Sequence, residues 1–160
     1  MSLLLRQLCK PDRARLERIL QATAAFDSTE IAVALELIDE GEAPVPDGYR
    51  FVVAELDGTV VGYTCHGLIP LSDGTYDLYW IAVDPASQGR GIGRALMREV
   101  ERRVAAAGGR WVLLETAGKP SYAATRAFYL AIGYQEVARI ADFYRLGDDR
   151  ITYGRRLDRS

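Results

Sequence analysis

The chain has 160 residues, of which 49% are hydrophobic and 26% charged, and its formal net charge is −2, which is typical of a globular protein. Its length fits one domain, predicted here as residues 1–160. No apolar stretch is long enough to span a bilayer and the first residues lack a signal-peptide pattern, which argues against a membrane partner. The arginines form no run, which argues against a nucleic-acid partner. The two cysteines have no zinc-type spacing and indicate a reducing compartment, so we expect a cytoplasmic protein without a metal site.

The first half of the chain predicts a strand, two helices and three further strands. A short apolar run around Leu4 is followed by a helical spacing from Leu16. A second helix is predicted to begin after Asp27-Ser28, a pair that offers an N-cap, and to stop near Gly41. Three strand-like runs then cover residues 51–56, 59–68 and 76–83. The pair Asp57-Gly58 between the first two runs predicts a hairpin, because both central residues of such a tight turn take positive φ.

The second half predicts two more helices and three more strands. A helix with one apolar stripe follows residues 88–93 and ends at Gly108-Gly109. Further elements are predicted as a strand at 111–115, a helix at 121–132, and a strand pair at 134–140 and 151–157. The order β-α-α-β-β-β-α-β-α-β-β predicts an α/β fold in which a central mixed, mostly antiparallel sheet has helices on both faces.

A glycine-rich segment, Gln-Gly-Arg-Gly-Ile-Gly at residues 88–93, joins a strand end to a helix start. Glycine permits turns and close backbone approach, and a helix N-terminus leaves N–H groups unpaired at the positive end of its dipole. A pyrophosphate would be stabilised there, with Arg90 and Arg94 adding charge-assisted hydrogen bonds. The segment predicts either an anion-binding loop or a connection without a ligand.

Two other phosphate-binding motifs do not fit this chain. A dinucleotide fingerprint needs its third glycine one residue after Gly93, and it follows the first strand of a parallel unit. A P-loop needs Gly-Lys-Ser/Thr, whereas Lys119 is followed by Pro120. Neither motif is therefore predicted.

Two segments of the chain resemble those of the GNAT N-acetyltransferase superfamily. Gln88, Gly91 and Gly93 match Gln-x-x-Gly-x-Gly after the strand Leu-Tyr-Trp-Ile-Ala-Val-Asp-Pro, and residues 127–134, Ala-Phe-Tyr-Leu-Ala-Ile-Gly-Tyr, resemble that superfamily's second conserved segment. The element order is similar over nearly the whole chain. The resemblance implies the GNAT fold and an enzyme that transfers acetyl from acetyl-CoA, its cosubstrate, to a primary amine by direct attack in a ternary complex.

The resemblance also implies where the cofactor binds. Ile81 and Val83 would pair their backbone with the pantetheine arm, and N–H groups near Ala82 would polarise the thioester carbonyl. In that superfamily the fourth strand splays from the fifth, and the cofactor enters the cleft. The pyrophosphate would be held by the backbone N–H groups of eight successive residues: Gln88, Gly89, Arg90, Gly91, Ile92, Gly93, Arg94 and Ala95.

Proton transfer would need an acid and a base. Tyr129 in the second segment is the acid that the resemblance implies, since a phenol with a pKa of about 10 is protonated at neutral pH and can give its proton to the departing thiolate. An acceptor amine with a pKa of about 10.4 must first lose a proton. Asp77, whose place matches the general-base glutamate of histone-type members, is the first candidate base and Glu115 the second. The alternatives are a packing tyrosine and solvated strand carboxylates.

Several residues depart from the family pattern or are assigned to the scaffold. The family often has Asn at the start of the helix that carries the tyrosine, where this chain has Tyr122, and Ser121 is the alternative helix cap. His66, the single histidine, is interpreted as a strand residue rather than a base. Cys65 beside it has no evident activating partner, which disfavours an acyl-cysteine route.

The acceptor is predicted to be a small cationic amine or an N-terminal or lysyl amine. The resemblance places it beside the segment between the first two helices and beside the last strand pair. Acidic and aromatic residues of these regions are candidates to line it, or else ordinary solvated loop residues: Asp27, Glu30, Asp47, Asp73, Asp142, Tyr76, Phe143 and Tyr144. A homodimer through C-terminal edge strands is a further prediction. Two competing functions are a non-catalytic acyl-CoA sensor and an interaction domain that binds no cofactor.

Overall fold

A computed structural model describes residues 2–43, 45–46 and 48–158. Its helices and strands follow the predicted order, which confirms the α/β class. They are β1 Leu3–Arg6, α1 Asp12–Ala22, α2 Ser28–Gly41, β2 Arg50–Leu56, β3 Thr59–Leu68, β4 Thr75–Val83, α3 Ile92–Ala106, β5 Trp111–Ala117, α4 Ala123–Ala131, β6 Gln135–Arg145 and β7 Asp148–Arg156. Short 3₁₀ turns at Pro85–Ser87 and Pro120–Tyr122 precede α3 and α4.

The seven strands form one sheet in the order β1-β2-β3-β4-β5-β7-β6. Neighbours are antiparallel in the pairs β1-β2, β2-β3, β5-β7 and β6-β7, whereas β4 and β5 run parallel, so the predicted mixed, mostly antiparallel sheet is confirmed. The parallel ladder pairs Thr75–Asp77 with Trp111–Leu113. Beyond those positions β4 continues to Val83 and β5 to Ala117. The splay of the two strands stays a prediction.

The chain divides into two compact units, one formed by Met1–Leu68 with Leu78–Arg103 and the other by Ile69–Asp77 with Val104–Ser160. A single domain over residues 1–160 therefore stays a prediction. Among the described residues, no helix combines the length and the apolar character needed to cross a bilayer.

The core of the first unit lies among α1, α2 and the strands β2 and β3. In α1 the buried Leu16, Ile19 and Leu20 follow the i, i+3, i+4 spacing of one helical face. The side chain of Asp27 caps α2 by accepting a hydrogen bond from the Glu30 N–H at 2.8 Å, and the Glu30 carboxylate accepts one from the Asp27 N–H at 3.3 Å. The N-cap predicted at Asp27-Ser28 is therefore confirmed, with Asp27 as the capping residue.

The predicted hairpin is also confirmed. Asp57 and Gly58 take φ values of 51° and 84°, and the strands β2 and β3 that they join are antiparallel neighbours. Both residues thus occupy the left-handed region that the two-residue turn requires.

The second unit buries alternate residues of its strands and leaves its edge strand exposed. Val112, Leu114, Ile151 and Tyr153 are buried, as period-two alternation requires. Every residue of β6 is exposed, and two register shifts interrupt its pairing with β7. β6 runs to Arg145, whereas the sequence predicted its end at residue 140. The end was misplaced because a strand that buries neither face shows no hydrophobic alternation.

The start of α4 differs from the prediction. A helix was expected from Ser121 with that serine as cap, but Ser121 lies within the preceding 3₁₀ turn. Tyr122 occupies the N-cap position of α4, and its side chain makes no capping hydrogen bond. The Ser121 cap is therefore wrong, because the turn opened by Pro120 moves the helix start to Ala123.

Candidate functional site

The glycine-rich loop lies in the first unit, between the end of β4 and the start of α3. Gly89 and Gly91 have φ values of 81° and 78°, in the left-handed region that favours glycine. A Cβ atom at either position would meet no atom within 4 Å. Glycine is thus required here by the backbone conformation and not by contact with neighbouring atoms. The open space beside both residues leaves room for a ligand to approach the backbone. This geometry fits a bound pyrophosphate.

The loop amides separate into those used inside the chain and those that precede the helix. The Ala95 N–H donates to the Gly91 carbonyl at 3.0 Å, and the Gln88 N–H donates to the Pro85 carbonyl at 3.4 Å. The first N–H groups of a helix lack intrahelical partners, and Ala95 is the first residue of α3 whose N–H has such a partner. Because the N–H groups at the two ends of the predicted set donate to carbonyls of the chain, the pyrophosphate site is best represented by Gly89–Arg94, while the roles predicted for Gln88 and Ala95 stay predictions.

An arginine of α1 anchors the beginning of this loop. The Arg15 Nε donates to the Val60 carbonyl at 2.9 Å, and its Nη2 donates to Asp84 Oδ2 at 2.5 Å. The other carboxylate oxygen of Asp84 accepts a hydrogen bond from the Ala86 N–H at 3.1 Å. Sequence reasoning missed Arg15, since a contact 69 residues away along the chain leaves no local signal.

The residues expected to meet the pantetheine arm, Ile81, Ala82 and Val83, are the last three of β4 and lead directly into the loop. Ala82 is buried in the core of the first unit, and its two neighbours are half-buried. Their pairing with a cofactor stays a prediction.

Tyr129, the candidate acid, lies in α4 of the second unit and is only 5% exposed. Its ring centroid is 6.0 Å from that of Tyr134, 6.2 Å from that of Tyr153 and 5.3 Å from that of Phe128. Burial raises the pKa of the Tyr129 hydroxyl above its ordinary value, so the group is protonated at neutral pH. Phe128, the preceding residue, is half-buried.

The two candidate bases, Asp77 and Glu115, both lie in the second unit. Burial raises the pKa of the half-buried Asp77 to about 6, the negative charge of Glu115 adds to the rise, and the positive charge of Arg150 opposes it. Glu115 is exposed, and its Oε1 lies 3.0 Å from Arg150 Nη2. The structure thus brings both carboxylates near one arginine that sequence reasoning missed.

Structural contacts account for most of the acidic residues proposed to line the acceptor. Asp27 and Glu30 form the capping box of α2. Asp73 Oδ1 lies 2.7 Å from Arg110 Nη2, and Asp142, at a φ of 55°, accepts a hydrogen bond from the Gly147 N–H at 2.7 Å. Asp47 lies outside the described residues. These contacts favour the interpretation as ordinary loop and capping residues.

Three aromatic residues were proposed beside those acids. Tyr76 is half-buried in β4, whereas Phe143 and Tyr144 of β6 are 48% and 46% exposed. The rings of Phe143 and Tyr144 meet edge to face at 5.0 Å. The exposed pair stays a candidate for acceptor contact.

The buried pair Cys65 and His66 fits a role in the scaffold. Burial raises the pKa of the Cys65 thiol to about 12 and lowers the pKa of His66 to about 4. Cys65 therefore carries no thiolate near neutral pH, and His66 is neutral there.

Known proteins resemble this chain in sequence and in structure. A family model described as an acetyltransferase (GNAT) domain matches residues 47–136, more than half of the chain. An L-2,4-diaminobutyric acid acetyltransferase of Nocardia farcinica is 37% identical over 89 residues, and the N-alpha-acetyltransferase RimI of Mycobacterium tuberculosis is 38% identical over 110 residues. These alignments cover 56% and 66% of the chain but only 45% and 65% of the two relatives.

A crystal structure provides a match over nearly the full length. The protein, from Desulfovibrio desulfuricans, is assigned to the GNAT family and superposes with a TM-score of 0.91 at 42% identity. The superposition covers 98% of this chain and 99% of that one. Together with the matching family model, this likeness shows that the chain belongs to the GNAT acetyltransferase family.

Proposed function

We propose that the chain transfers acetyl from acetyl-CoA to a primary amine of a small molecule or a peptide, by direct attack in a ternary complex. The loop Gly89–Arg94 carries this proposal, since two glycines at positive φ present backbone amides to open space at a helix N-terminus. Family membership supports it, and so do the names of the relatives, one acting on an amino acid and the other on an α-amine.

Acetyl-CoA would supply an activated acyl group, and the chain would hold the cofactor and move protons. The amides of Gly89–Arg94 would bind the pyrophosphate, and the backbone of Ile81 and Val83 would align the arm that carries the thioester. Tyr129 would donate its phenolic proton to the departing sulfur. At neutral pH the Tyr129 hydroxyl is protonated and so has a proton to give.

Asp77 would accept a proton from the acceptor ammonium. With a pKa of about 6, Asp77 is ionised above that pH and protonated below it. The rate should therefore rise as pH increases through about 6, where the carboxylate gains the charge that lets it act as a base. Glu115 stays the alternative base.

Two matched glycine substitutions test the loop. Gly91→Ala and Gly58→Ala both place a Cβ at positive φ, with φ values of 78° and 84°, and both Cβ atoms point into open space. Each should cost about 1 kcal/mol of folding free energy. Only Gly91→Ala should also weaken coenzyme A binding, by roughly tenfold or more, because its methyl group enters the space proposed for the pyrophosphate.

Calorimetric titration with coenzyme A measures the difference in cofactor affinity between these two variants. Equal affinities for the two variants would refute the placement of the pyrophosphate. A thiol-release assay with acetyl-CoA against amines and peptides then tests turnover, and cofactor binding without release on any acceptor would indicate a non-catalytic acyl-CoA sensor. The cytoplasmic location and the homodimer stay predictions.

A further inference from the structure

Arg150 of β7 is held against its neighbours by several contacts in the second unit. It pairs with Ala117 in the β5–β7 ladder, and its Nη2 lies 3.0 Å from Glu115 Oε1. Its guanidinium carbon lies 4.9 Å from the ring centroid of Phe143, a cation–π distance. The Arg150 Nε is buried and finds no hydrogen-bond partner among the described residues. The ion pair with Glu115 and the contact with Phe143 therefore hold the guanidinium in a defined position.

The charges around Arg150 act on both candidate bases. Asp77 pairs with Leu113 in the parallel ladder, two residues before Glu115 on the same strand, and the charges of Glu115 and Arg150 influence its pKa in opposite directions. Tyr144 of β6 lies in the same electrostatic environment: burial raises its pKa most, and the charges of Glu115, Arg150 and Asp148 also influence it. The ionisable groups of this cluster are thus Asp77, Glu115, Tyr144, Asp148 and Arg150, together with Arg145, whose Nε lies 3.9 Å from Asp148 Oδ2.

We propose that Arg150 is a positioning residue that anchors the Glu115 carboxylate and so leaves Asp77 as the carboxylate that receives the acceptor's proton. This inference rests on the proposed function. In that step an N–H bond of the acceptor ammonium breaks, the proton passes to a carboxylate oxygen of Asp77, and the electron pair stays on nitrogen for attack.

Two observations support the assignment. Glu115 is ion-paired with Arg150, which restricts its reach toward a second cation. Asp77 is half-buried with a pKa of about 6, and a base is most effective when its pKa lies near the working pH. Arg150 limits how far that pKa rises, which keeps Asp77 ionised at neutral pH.

The test measures the Asp77 titration directly and then in catalysis. The ¹³C shift of the Asp77 carboxyl is followed against pH in the free protein, alongside the acidic limb of kcat/KM. Arg150→Gln removes the positive charge and leaves Glu115 without its partner, so both midpoints should rise by roughly half a pH unit or more. Arg150→Lys keeps the charge and should restore most of the native midpoint.

Arg139→Gln is the matched control. Arg139 lies on the neighbouring strand and, like Arg150, is ion-paired, with its partners Glu136 and Asp149 at 2.7 and 2.8 Å. Its removal should leave the Asp77 midpoint unchanged. If Arg150→Gln fails to fold, Glu115→Gln gives the opposite test, since removing that negative charge should lower the midpoint.

An unchanged Asp77 carbon midpoint in folded Arg150→Gln would overturn the inference. A carbon midpoint that rises without a matching change in the rate profile would overturn it as well, since another group would then take the proton. Neither result would contradict acetyl transfer itself, which the thiol-release assay decides. Conversely, a native protein that releases no thiol would contradict the proposed function, and the step assigned to Asp77 would fall with it.

Discussion

At the scale of single residues, burial changes the pKa values of the ionisable groups and thereby determines which of them can donate or accept a proton. It raises the pKa of Tyr129 and also that of Asp77, so the first keeps its proton and the second can take one near neutral pH. The same effect keeps the Cys65 thiol protonated and inert. Burial therefore favours direct acetyl transfer over a route through an acyl-cysteine.

Substitution of Tyr129 tests the acid role. Tyr129→Phe removes only the hydroxyl and should lower kcat by about 10²- to 10³-fold, because general acid catalysis typically contributes that much. Affinity for coenzyme A should change less than about twofold, since the ring packing is kept. Tyr153→Phe, a neighbour whose ring centroid lies 6.2 Å away, is the control for loss of a hydroxyl in this aromatic cluster. Steady-state kinetics showing native kcat in Tyr129→Phe would remove the proposed role.

At the scale of elements, the start of the cofactor loop depends on a contact with α1. Arg15 joins that helix to the start of β3 through Val60 and to the start of the loop through Asp84. Asp84 in turn caps the 3₁₀ turn that leads toward Gly89. A helix distant in sequence thus holds the segment that leads into the glycines.

Loss of this contact should therefore affect the cofactor more than the acceptor. Arg15→Gln should weaken coenzyme A binding by roughly threefold to tenfold and leave the acceptor KM unchanged, while the cost to stability stays within about 1 kcal/mol because the pair is partly exposed. Arg13→Gln removes another ion-paired arginine of the same helix, 2.6 Å from Asp39, and should leave cofactor affinity at the native value. Equal affinities for the two variants would show that the Asp84 contact does not position the loop.

At the scale of the whole molecule, local signals predicted the fold well and the site only in part. Element order, the Asp57-Gly58 hairpin and the α2 cap follow from spacing and turn chemistry within a few residues, and all are confirmed. The full extent of β6 could not be predicted, because an edge strand exposed on both sides has no apolar alternation. Arg15 and Arg150 were missed for another reason: their partners lie 69 and 35 residues away in the chain, so pairing emerges only when the sheet assembles.

The proposed function depends most on the binding of a diphosphate by the amides of Gly89–Arg94. An amide ¹H–¹⁵N titration of the protein with coenzyme A, repeated with pantetheine, which lacks the diphosphate, tests it most directly. We expect the signals of these six amides to shift strongly with coenzyme A and little with pantetheine, while the Gly58 amide signal stays fixed in both titrations. Saturating coenzyme A that leaves Gly89–Arg94 unmoved, or pantetheine that moves them equally, would contradict it.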